Sequence, residues 1–366
     1  MIVGCGVVGA AIAYELSQLP GLDITILEQQ SAPALGASGA ALGVLMGAIS
    51  TKPKGRNLRM RLFGIQQYNA WIPRLEAITG RSIPFNQQGI LRLCLEGEDL
   101  ERWHSLATIR REQGWELQVC DRAFLATHYP QLNLERVLGA VYSPGDRQLD
   151  PTALTLALVA AAAHQGVNVQ LNTSVESLQA TRDLVQLKTS QGLIEADWLV
   201  IAAGVGSTPL TAHLQRPVEI RPVLGQALRL KVSQPLGRAD LQPVITGDDV
   251  HLVPLAYQEY WVGATVEFAD VPEALDAHRI QPNANQLAAV LQQAIAMCPA
   301  LQTATILHQW YGLRPRPEGR PAPIIESLPG HANILLATGH YRNGVLLAPA
   351  TAHQVKAAIA AEDTNL

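Results

Sequence analysis

The chain has 366 residues, of which 48% are hydrophobic and 16% charged, a balance typical of a folded globular protein. Its net charge of −4 and the absence of a basic run argue against a nucleic-acid partner. Four scattered cysteines (Cys5, Cys94, Cys120 and Cys298) argue against a disulfide framework or a zinc site, so we expect no metal.

A glycine-rich loop opens the chain, with Gly4, Gly6 and Gly9 at G-x-G-x-x-G spacing directly before an apolar helical segment. Such glycines let backbone amides approach a pyrophosphate, and the positive N-terminus of the next helix faces the same anion. A second predicted strand, residues 23–28, ends at Glu28, about 20 residues further on, where a carboxylate accepts hydrogen bonds from the adenosine ribose. The combination predicts an adenine-dinucleotide site and leaves NAD or FAD open. A glycine-rich helix entry without a ligand is the alternative.

The first strand is unusually short, because only Met1-Ile2-Val3 precede the loop. Strands usually contain about 5–6 residues. We therefore expect either a shortened strand or a translation start upstream of Met1. No signal peptide is expected before the loop, and the weakly polar residues 35–50 are broken by four glycines, which makes them a poor membrane span. We expect a cytoplasmic protein without a membrane partner.

The next residues, 37–45, are small and uncharged, and small side chains let a backbone come close to a planar ring system. Ala37 and Leu42 belong to this segment; a buried glycine-rich connection is the alternative. Apolar residues at helical spacing then predict a helix over 58–78, alternation predicts a strand over 89–95, and charge predicts a surface helix over 98–113.

The middle of the chain predicts a return to the nucleotide fold. After a short strand at 139–142, Asp150-Pro151 forms an N-cap followed by proline, and the apolar helix 152–164 begins there. Strands follow at 167–171 and in a hairpin that turns around residues 190–192. Residues 198–204 form a continuous apolar strand, which suits burial on both faces, and Gly204 at its carboxyl end belongs in the ligand crevice.

The last third predicts a second sheet and a closing helix. Alternating strands between residues 217 and 266 indicate a mostly antiparallel sheet, and residues 283–297 form an amphipathic helix. A buried strand at 333–339 ends in glycine, and the final helix runs from residue 345 to about residue 360. Its N-terminal dipole would stabilise negative charge at the sheet edge, as on a reduced flavin, whereas a cap serving only the fold is the alternative.

Five segments together carry a family resemblance, most specifically the closing residues 339–351. They are the loop with Glu28, residues 38–45, residues 200–204, Gly312-Leu313-Arg314-Pro315 and Gly339-His340-Tyr341-Arg342-Asn343-Gly344. Over essentially its whole length the chain resembles the D-amino-acid-oxidase-like family of FAD-dependent amine oxidoreductases, and most closely its glycine-oxidising branch.

The resemblance implies a mixed α/β (α+β) fold, in which a Rossmann-like FAD-binding domain is interleaved with an antiparallel-sheet substrate domain. The FAD-binding domain would comprise residues 1–85, 140–215 and 325–366, and the substrate domain residues 86–139 and 216–324. The dinucleotide part of FAD would be held by Val7, Val8, Glu28, Gln29, Ser38, Gly43, Val44 and Val175. The flavin end would be lined by His340, Tyr341, Arg342, Asn343, Gly344, Val345 and Leu346.

Arg314 matches the arginine that binds the substrate carboxylate in this family, and arginine can do so with two parallel hydrogen bonds. Holding the carboxylate fixes the amine over the ring at reacting distance, so we expect no acid–base residue. Arg342 is expected to line the same pocket, and Tyr311 and Tyr341 are pocket candidates. Interdomain or surface ion pairs are the alternative roles of the two arginines. Two positions depart from the family, because His251 replaces a tyrosine and Val266 a methionine, which puts the identity of the amine in doubt.

The expected reaction is oxidative deamination of glycine and small amines or D-amino acids, such as sarcosine and D-alanine. It would use FAD and O2 and give an imine or 2-oxo acid, ammonia and H2O2; family membership further implies a supply to thiamine thiazole synthesis. A dehydrogenase with a non-oxygen acceptor, an NAD-dependent dehydrogenase and a non-catalytic flavoprotein remain alternatives. A homo-oligomer is also left open.

Overall fold

The computed structural model describes residues 1–181, 184–214, 216–268 and 280–363. Within them, the helices are α1 (Val7–Leu16), α2 (Ala37–Ala40), α3 (Arg56–Thr79), α4 (Leu100–Glu112), α5 (Arg122–His128), α6 (Pro151–His164), α7 (Ser207–Thr211), α8 (Ala284–Met297) and α9 (Gly344–Asp363). Residues 269–279 of the expected substrate domain, and 182–183, 215 and 364–366 of the expected FAD-binding domain, lie outside the described residues.

The strands of the first half of the chain are β1 (Ile2–Val3), β2 (Thr25–Leu27), β3 (Val44–Leu45), β4 (Phe85–Asn86), β5 (Ile90–Leu95), β6 (Gln118–Asp121), β7 (Val137–Ser143), β8 (Arg147–Leu149), β9 (Asn168–Gln170) and β10 (Val175–Ala180). Those of the second half are β11 (Val185–Thr189), β12 (Gly192–Ala196), β13 (Leu199–Ile201), β14 (Ile220–Lys231), β15 (Val244–Gly247), β16 (Val250–Pro254), β17 (Glu259–Gly263), β18 (Glu267–Phe268), β19 (Thr305–Pro317), β20 (Ile324–Leu328) and β21 (His331–Thr338).

The first of the two large sheets has six strands in the order β20-β21-β13-β1-β2-β9, and all of them are parallel except β20. Although β1 contains two residues, it lies inside the sheet and pairs with β2 on one side and β13 on the other. The short strand expected from the sequence is thus a central strand of this sheet. The chain reaches this sheet from three separate stretches, at residues 2–27, 168–201 and 324–338.

Helices α1, α3, α6 and α9 pack together on this sheet, where α1 contacts both α6 and α9 and its apolar side chains are buried. The capped start of α6 is as the sequence predicts: the Asp150 carboxylate accepts hydrogen bonds from the amides of Thr152 and Ala153 at 2.8 and 3.0 Å. With Pro151 next to it, this cap fixes where the helix begins.

The second sheet has the order β18-β14-β17-β16-β15-β5-β7-β6, with β19 also paired to β14. Its strands are antiparallel neighbours except β15 and β5, which confirms the mostly antiparallel layer expected from the sequence. Alternate residues of β5 enter two different cores, since Leu91 and Leu93 pack in one cluster and Ile90 and Cys94 in the other. The sheet is thus covered on both faces.

Helix α4 is exposed along one face, as its charge predicted, but Arg110 on it is fully buried. Its guanidinium donates to the carbonyls of Ala48, Ser50 and Lys52 at 2.7 Å each. The buried Asp146 binds the same segment: its carboxylate accepts hydrogen bonds from the amides of Gly47, Ala48 and Ile49 at 2.8–2.9 Å. Backbone groups turned inward need such partners, so two charged side chains replace the hydrogen bonds that regular structure would supply.

Sequence patterns also missed helix α5 and strands β6 and β20, and gave no structure to residues 305–317, which form the long β19. Among the described helices, none combines the length and apolar character that crossing a lipid bilayer requires.

Replacement of Asp146 by asparagine should destabilise the fold, because the new NH2 group would face amide donors. We expect the free energy of unfolding in urea to fall by about 1.5–3 kcal/mol, the range for hydrogen bonds to a charged group. The exposed Asp240→Asn change is the control and should shift it by no more than about 0.5 kcal/mol. Equal effects of the two substitutions would contradict the role given to Asp146.

Candidate active site

A cavity of about 410 Å³ lies at the carboxyl edge of the parallel sheet, and its lining includes residues of both large sheets. This volume is within the usual range of ligand pockets, about 300–1,000 Å³. The residues that follow β1, β2, β13 and β21 all reach it, because the carboxyl ends of parallel strands meet at one edge. The cavity is therefore where an open parallel sheet binds its ligand.

The glycine loop lets the backbone come close at one end of the cavity. Gly4 has φ +103°, and a Cβ there would lie 2.6 Å from the carbonyl oxygen of Ala202. A Cβ on Gly9 would overlap the Gly4 carbonyl, so α1 packs directly on the loop. Gly6 is the N-cap of α1 without a side-chain cap, and the first turn of α1 contains no acid. This helix N-terminus is suited to an anion.

Ser38 and Glu28 hold the loop from outside. The Val7 amide donates to Ser38 Oγ at 2.9 Å. The Glu28 carboxylate accepts from the amides of Cys5, at 2.7 Å, and Gln30, at 2.9 Å. Since Glu28 also lines the cavity, its position beside the pyrophosphate loop is fixed before any ligand binds.

The small residues of 37–45 bring backbone close to backbone, as their composition predicts. Gly43 has φ +68°, and a Cβ there would overlap the Leu149 carbonyl. Helix α2 packs on β19, where a Cβ on Gly312 would overlap the side chain of Ala40. The Trp310 Nε1–H donates to the Ala40 carbonyl at 3.1 Å and fixes this contact.

Most of the predicted cofactor residues line this one cavity. They are Gly4, Gly6, Val7, Val8, Glu28, Gln29, Ala37, Ser38, Leu42, Gly43, Val44, Val175, Gly204, His340, Tyr341, Arg342, Gly344, Val345 and Leu346. Gly9 and Asn343 are outside the lining: Gly9 packs on the Gly4 carbonyl, and the Asn343 amide donates to the His340 carbonyl at 3.0 Å. Both shape the loops without facing the cavity.

At the other end, the start of α9 is held from behind by α3. A Cβ on Gly64 would overlap the Leu346 carbonyl, and the Tyr68 hydroxyl donates to the Val345 carbonyl. Tyr341, with φ +52°, turns the chain immediately before this helix. The first turn of α9 therefore has a fixed position relative to the cavity.

His340 is a neutral, buried side chain at this turn. The Thr351 hydroxyl donates its proton to the Leu347 carbonyl at 2.9 Å, so it accepts from the Nε2–H of His340 at 2.8 Å. Burial lowers the pKa of His340 to about 4. Its imidazole is uncharged near neutral pH and does not add a positive charge to the flavin end.

Arg314 lies flat on the backbone of β14. Its Nη1 donates to the Leu224 carbonyl at 3.1 Å, and a Cβ on Gly225 would overlap the guanidinium. Burial lowers the pKa of Arg314, and the nearby charge of Arg342 adds to this effect. Within the described residues no carboxylate forms an ion pair with it. Arg314 is a half-buried cation at the cavity wall.

The other predicted substrate residues divide between the wall and the surface. His251, Tyr341 and Arg342 line the cavity, and His251 Nδ1 is buried with no hydrogen-bond partner among the described residues. Tyr311 is about half exposed and does not line it, because successive residues of a strand face opposite ways and Gly312 and Arg314 occupy the cavity side of β19. Val266 is also outside the lining, whereas its neighbour Ala264 is part of it.

Sequence patterns gave no role to Gly225, Ala264 or Thr173, which line the cavity too. Gly225 had a detectable signal, since a glycine inside a strand often marks a close approach by another group.

The cavity fits an adenine dinucleotide that carries a flat ring system. Its glycines allow the close backbone contacts of the loop, and Glu28 lies beside that loop. At the far end, the His251 Nδ1 has no hydrogen-bond partner and the Arg314 guanidinium no ion-pair partner among the described residues. Among the described residues no group of three or more His, Cys, Asp or Glu side chains is arranged to hold a metal ion.

Comparison with known proteins shows what the chain is similar to. The sequence profile described as FAD dependent oxidoreductase (DAO) matches residues 1–358. The bifunctional protein ThiO/ThiG of Nostoc sp. (strain PCC 7120 / SAG 25.82 / UTEX 2576) is 32% identical over 361 residues, which cover 96% of this chain and 51% of the relative. The chain thus spans about half the length of the bifunctional relatives that it matches.

Two further similarities concern proteins of nearly the same length. The glycine oxidase of Geobacillus kaustophilus (strain HTA426) is 28% identical over 350 residues, covering 96% of this chain and 89% of the relative. A crystal structure of glycine oxidase from Geobacillus kaustophilus superimposes with a TM-score of 0.87 and 28% identity, covering 98% of this chain and 93% of that one.

Replacement of Gly4 by alanine should disrupt the dinucleotide end of the cavity, because the methyl group would meet the Ala202 carbonyl. Gly21→Ala is a matched control: Gly21 also has a positive φ, +82°, but nothing lies within 4 Å of the added carbon. Both substitutions carry a backbone cost of about 1–2 kcal/mol. We expect only the Gly4 variant to lose bound FAD, measured by the absorbance of the purified protein. Full flavin content in both variants would contradict the close approach.

The buried His340 should make stability depend on pH. The unfolded chain takes up the imidazole proton near pH 6.5 and the folded one at about 4, so stability falls as the pH decreases through this window. We expect the contribution of His340 to the free energy of unfolding to fall by roughly 2 kcal/mol from about pH 7 to about pH 5. In His340→Gln the unfolding free energy should decline less over that interval. An unchanged decline would show that the imidazole is not held neutral by the fold.

Proposed function

Because the chain belongs to the family of FAD-dependent oxidoreductases, we propose that it oxidises the amine of glycine and of other small amino acids. The observation that carries the proposal is the half-buried guanidinium of Arg314, which has no ion-pair partner among the described residues and lines the cavity together with residues of the 340–346 turn. Relatives named glycine oxidase and ThiO/ThiG support the same class of substrate.

Arg314 would bind the carboxylate of the substrate with two parallel hydrogen bonds. Gly225 supports this geometry, because the guanidinium lies on a backbone that carries no side chain. A carboxylate held at one wall leaves the α-carbon facing the part of the cavity lined by residues 340–346. Positioning is thus the main contribution of this chain to the reaction.

When bound, FAD would supply the oxidising power as an acceptor of hydride from the α-carbon; O2 would take up the two electrons, this hydrogen and the proton lost from nitrogen as H2O2. The nitrogen loses a proton as the C=N bond of the imine forms, and hydrolysis then gives the 2-oxo acid and ammonia. His251 and His340 have pKa values lowered to about 4, chiefly by burial, so neither acts as a strong base. The substrate therefore reacts as the neutral amine, whose lone pair assists the loss of hydride.

In the context of the bifunctional relatives, the imine of glycine would be delivered to thiazole formation for thiamine.

A second candidate function is a dehydrogenase that passes the electrons to another acceptor, as nothing in the cavity lining reports reactivity with O2. The two are separated by comparing the yield of H2O2 with the reduction of an artificial acceptor. Family membership sets the nicotinamide alternative aside, because the family uses FAD.

Replacement of Arg314 by lysine should weaken substrate capture, because an ammonium group cannot form two parallel hydrogen bonds. We expect kcat/KM for glycine, sarcosine or D-alanine to fall by roughly ten- to one-hundredfold, the equivalent of a hydrogen bond to a charged group. Anaerobic flavin reduction by each amine provides the measurement.

Arg316→Lys is the matched control, since Arg316 lies on the same strand but pairs with Glu318 at 3.1 Å and does not line the cavity. Its kinetics should equal those of the parent. Turnover that survives unchanged in the Arg314 variant, or a flavoprotein that none of these amines reduces, would refute the proposed function.

A further inference from the structure

Two guanidinium groups line the substrate end of the cavity, although one amino-acid carboxylate needs only one. Arg314 is half-buried there, and Arg342 lines the cavity from the 340–346 turn. The Arg342 charge lowers the pKa of Arg314, second only to burial, so the two cations are close enough to repel each other. Repulsion between two like charges in one cavity is unfavourable, and a ligand with two negative charges would reduce it by pairing with both.

Among the described residues, negative charge does not balance these cations. Glu267 acts on Arg314, but its carboxylate already accepts hydrogen bonds from Gln226 at 2.7 Å and from the Asn283 amide at 2.9 Å, and also from Thr265. The carboxylates in the lining, Glu28 and Glu176, belong with residues of the dinucleotide end. The cationic pair is therefore available to a ligand.

The one carboxylate near Arg342 among the described residues is a weak partner. Asp249 Oδ1 lies 3.5 Å from Arg342 Nη2, and the Asp249 side chain is 81% exposed. Such exposed pairs are worth about 0–1 kcal/mol. Asp249 lies with Asp248 in the two-residue turn between β15 and β16, where both have positive φ. A carboxylate brought by a substrate can replace it.

His251 adds polarity without charge at the same place. It lines the cavity, and its Nδ1 has no hydrogen-bond partner among the described residues. A neutral ring adds no third positive charge and offers a hydrogen bond to a polar ligand. His251 thus keeps the pocket polar near the two arginines; burial lowers its pKa, and the charges of both arginines add to this effect.

We propose that the preferred substrates are amines with two anionic groups, whose α-carboxylate binds Arg314 and whose second carboxylate binds Arg342 in place of Asp249. This inference rests on the proposed function and names its substrate class: an acidic D-amino acid or an N-carboxyalkyl amino acid. The carbon–nitrogen bond that is oxidised is the same as for glycine, and only the group at the far end differs.

The test uses substrate pairs that differ in one charge: D-aspartate against D-asparagine, and iminodiacetate against its monoamide. For at least one pair the dicarboxylate should have the larger kcat/KM in the FAD-loaded enzyme. Arg342→Gln should reduce that preference by about ten- to one-hundredfold. The ratio isolates the charge of the substrate, because any effect of Arg342 on the flavin itself applies equally to both members of a pair.

Asp249→Asn should increase the preference by about two- to fivefold, since it removes the competing carboxylate. Asp248→Asn is the matched control: it changes the same charge in the same turn, asparagine tolerates the positive φ, and no contact joins Asp248 to Arg342 among the described residues. In Asp248→Asn, the ratio of kcat/KM values within each substrate pair should equal that of the parent.

The outcomes separate the two proposals. Oxidation of glycine or sarcosine with no preference for the dicarboxylate in either pair overturns this inference and leaves the proposed function intact. A preference that Arg342→Gln does not diminish also overturns it. A flavoprotein that no amine reduces removes the proposed function and this inference with it.

Discussion

The structure depends on the close packing of the main chain around Gly4. The Gly4 amide donates to the Leu27 carbonyl at 2.8 Å, and the Ala202 amide donates to the Val3 carbonyl at 2.9 Å. These bonds join three strands although the middle one contains two residues, and they leave no room for a side chain beside Ala202. The glycine loop, the start of α1 and Glu28 then take their places around one edge. The dinucleotide end of the cavity is a direct result of this backbone contact.

The two large sheets contribute different chemical groups to the cavity. The parallel sheet supplies backbone amides and helix N-termini, which suit phosphate and a reduced ring. The antiparallel sheet supplies side chains: a guanidinium in contact with a glycine, and an imidazole whose Nδ1 has no hydrogen-bond partner among the described residues. Partial burial of the Arg314 charge is unfavourable, as its lowered pKa indicates. Under the proposed function, the carboxylate of the substrate would offset this cost.

The sequence predicted those parts of the fold that depend on local rules. Gly4, Gly6 and Gly9 identify a phosphate loop because few other arrangements need glycine at that spacing, and Asp150 with Pro151 marks a helix start. Site residues such as Arg314 and His340 came from family resemblance, since no local pattern distinguishes them from ordinary polar residues. The assignment of these roles, like the domain boundaries, stays a prediction.

What the sequence could not show depends on contacts between distant segments. Arg110 had the pattern of a surface helix, yet it is buried because the carbonyls of Ala48, Ser50 and Lys52 turn inward beside it. Tyr311 was grouped with Arg314 by proximity in sequence, but the alternation of a strand that was not predicted separates them. The contact between Arg342 and Asp249 joins residues of different sheets and has no signature in either segment.

Helix α3 has a consequence for the electron affinity of the cofactor. Gly64 and Tyr68 fix the first turn of α9 from the side opposite to the cavity. The resemblance places the flavin ring beside that turn, where its dipole would act on the ring, and reduction potentials respond to such fixed fields. A bulkier residue at Gly64 would displace the Leu346 backbone, which lines the cavity. The midpoint potential of a bound flavin would in this way depend on helix packing in the interior as well as on the residues that face the ring.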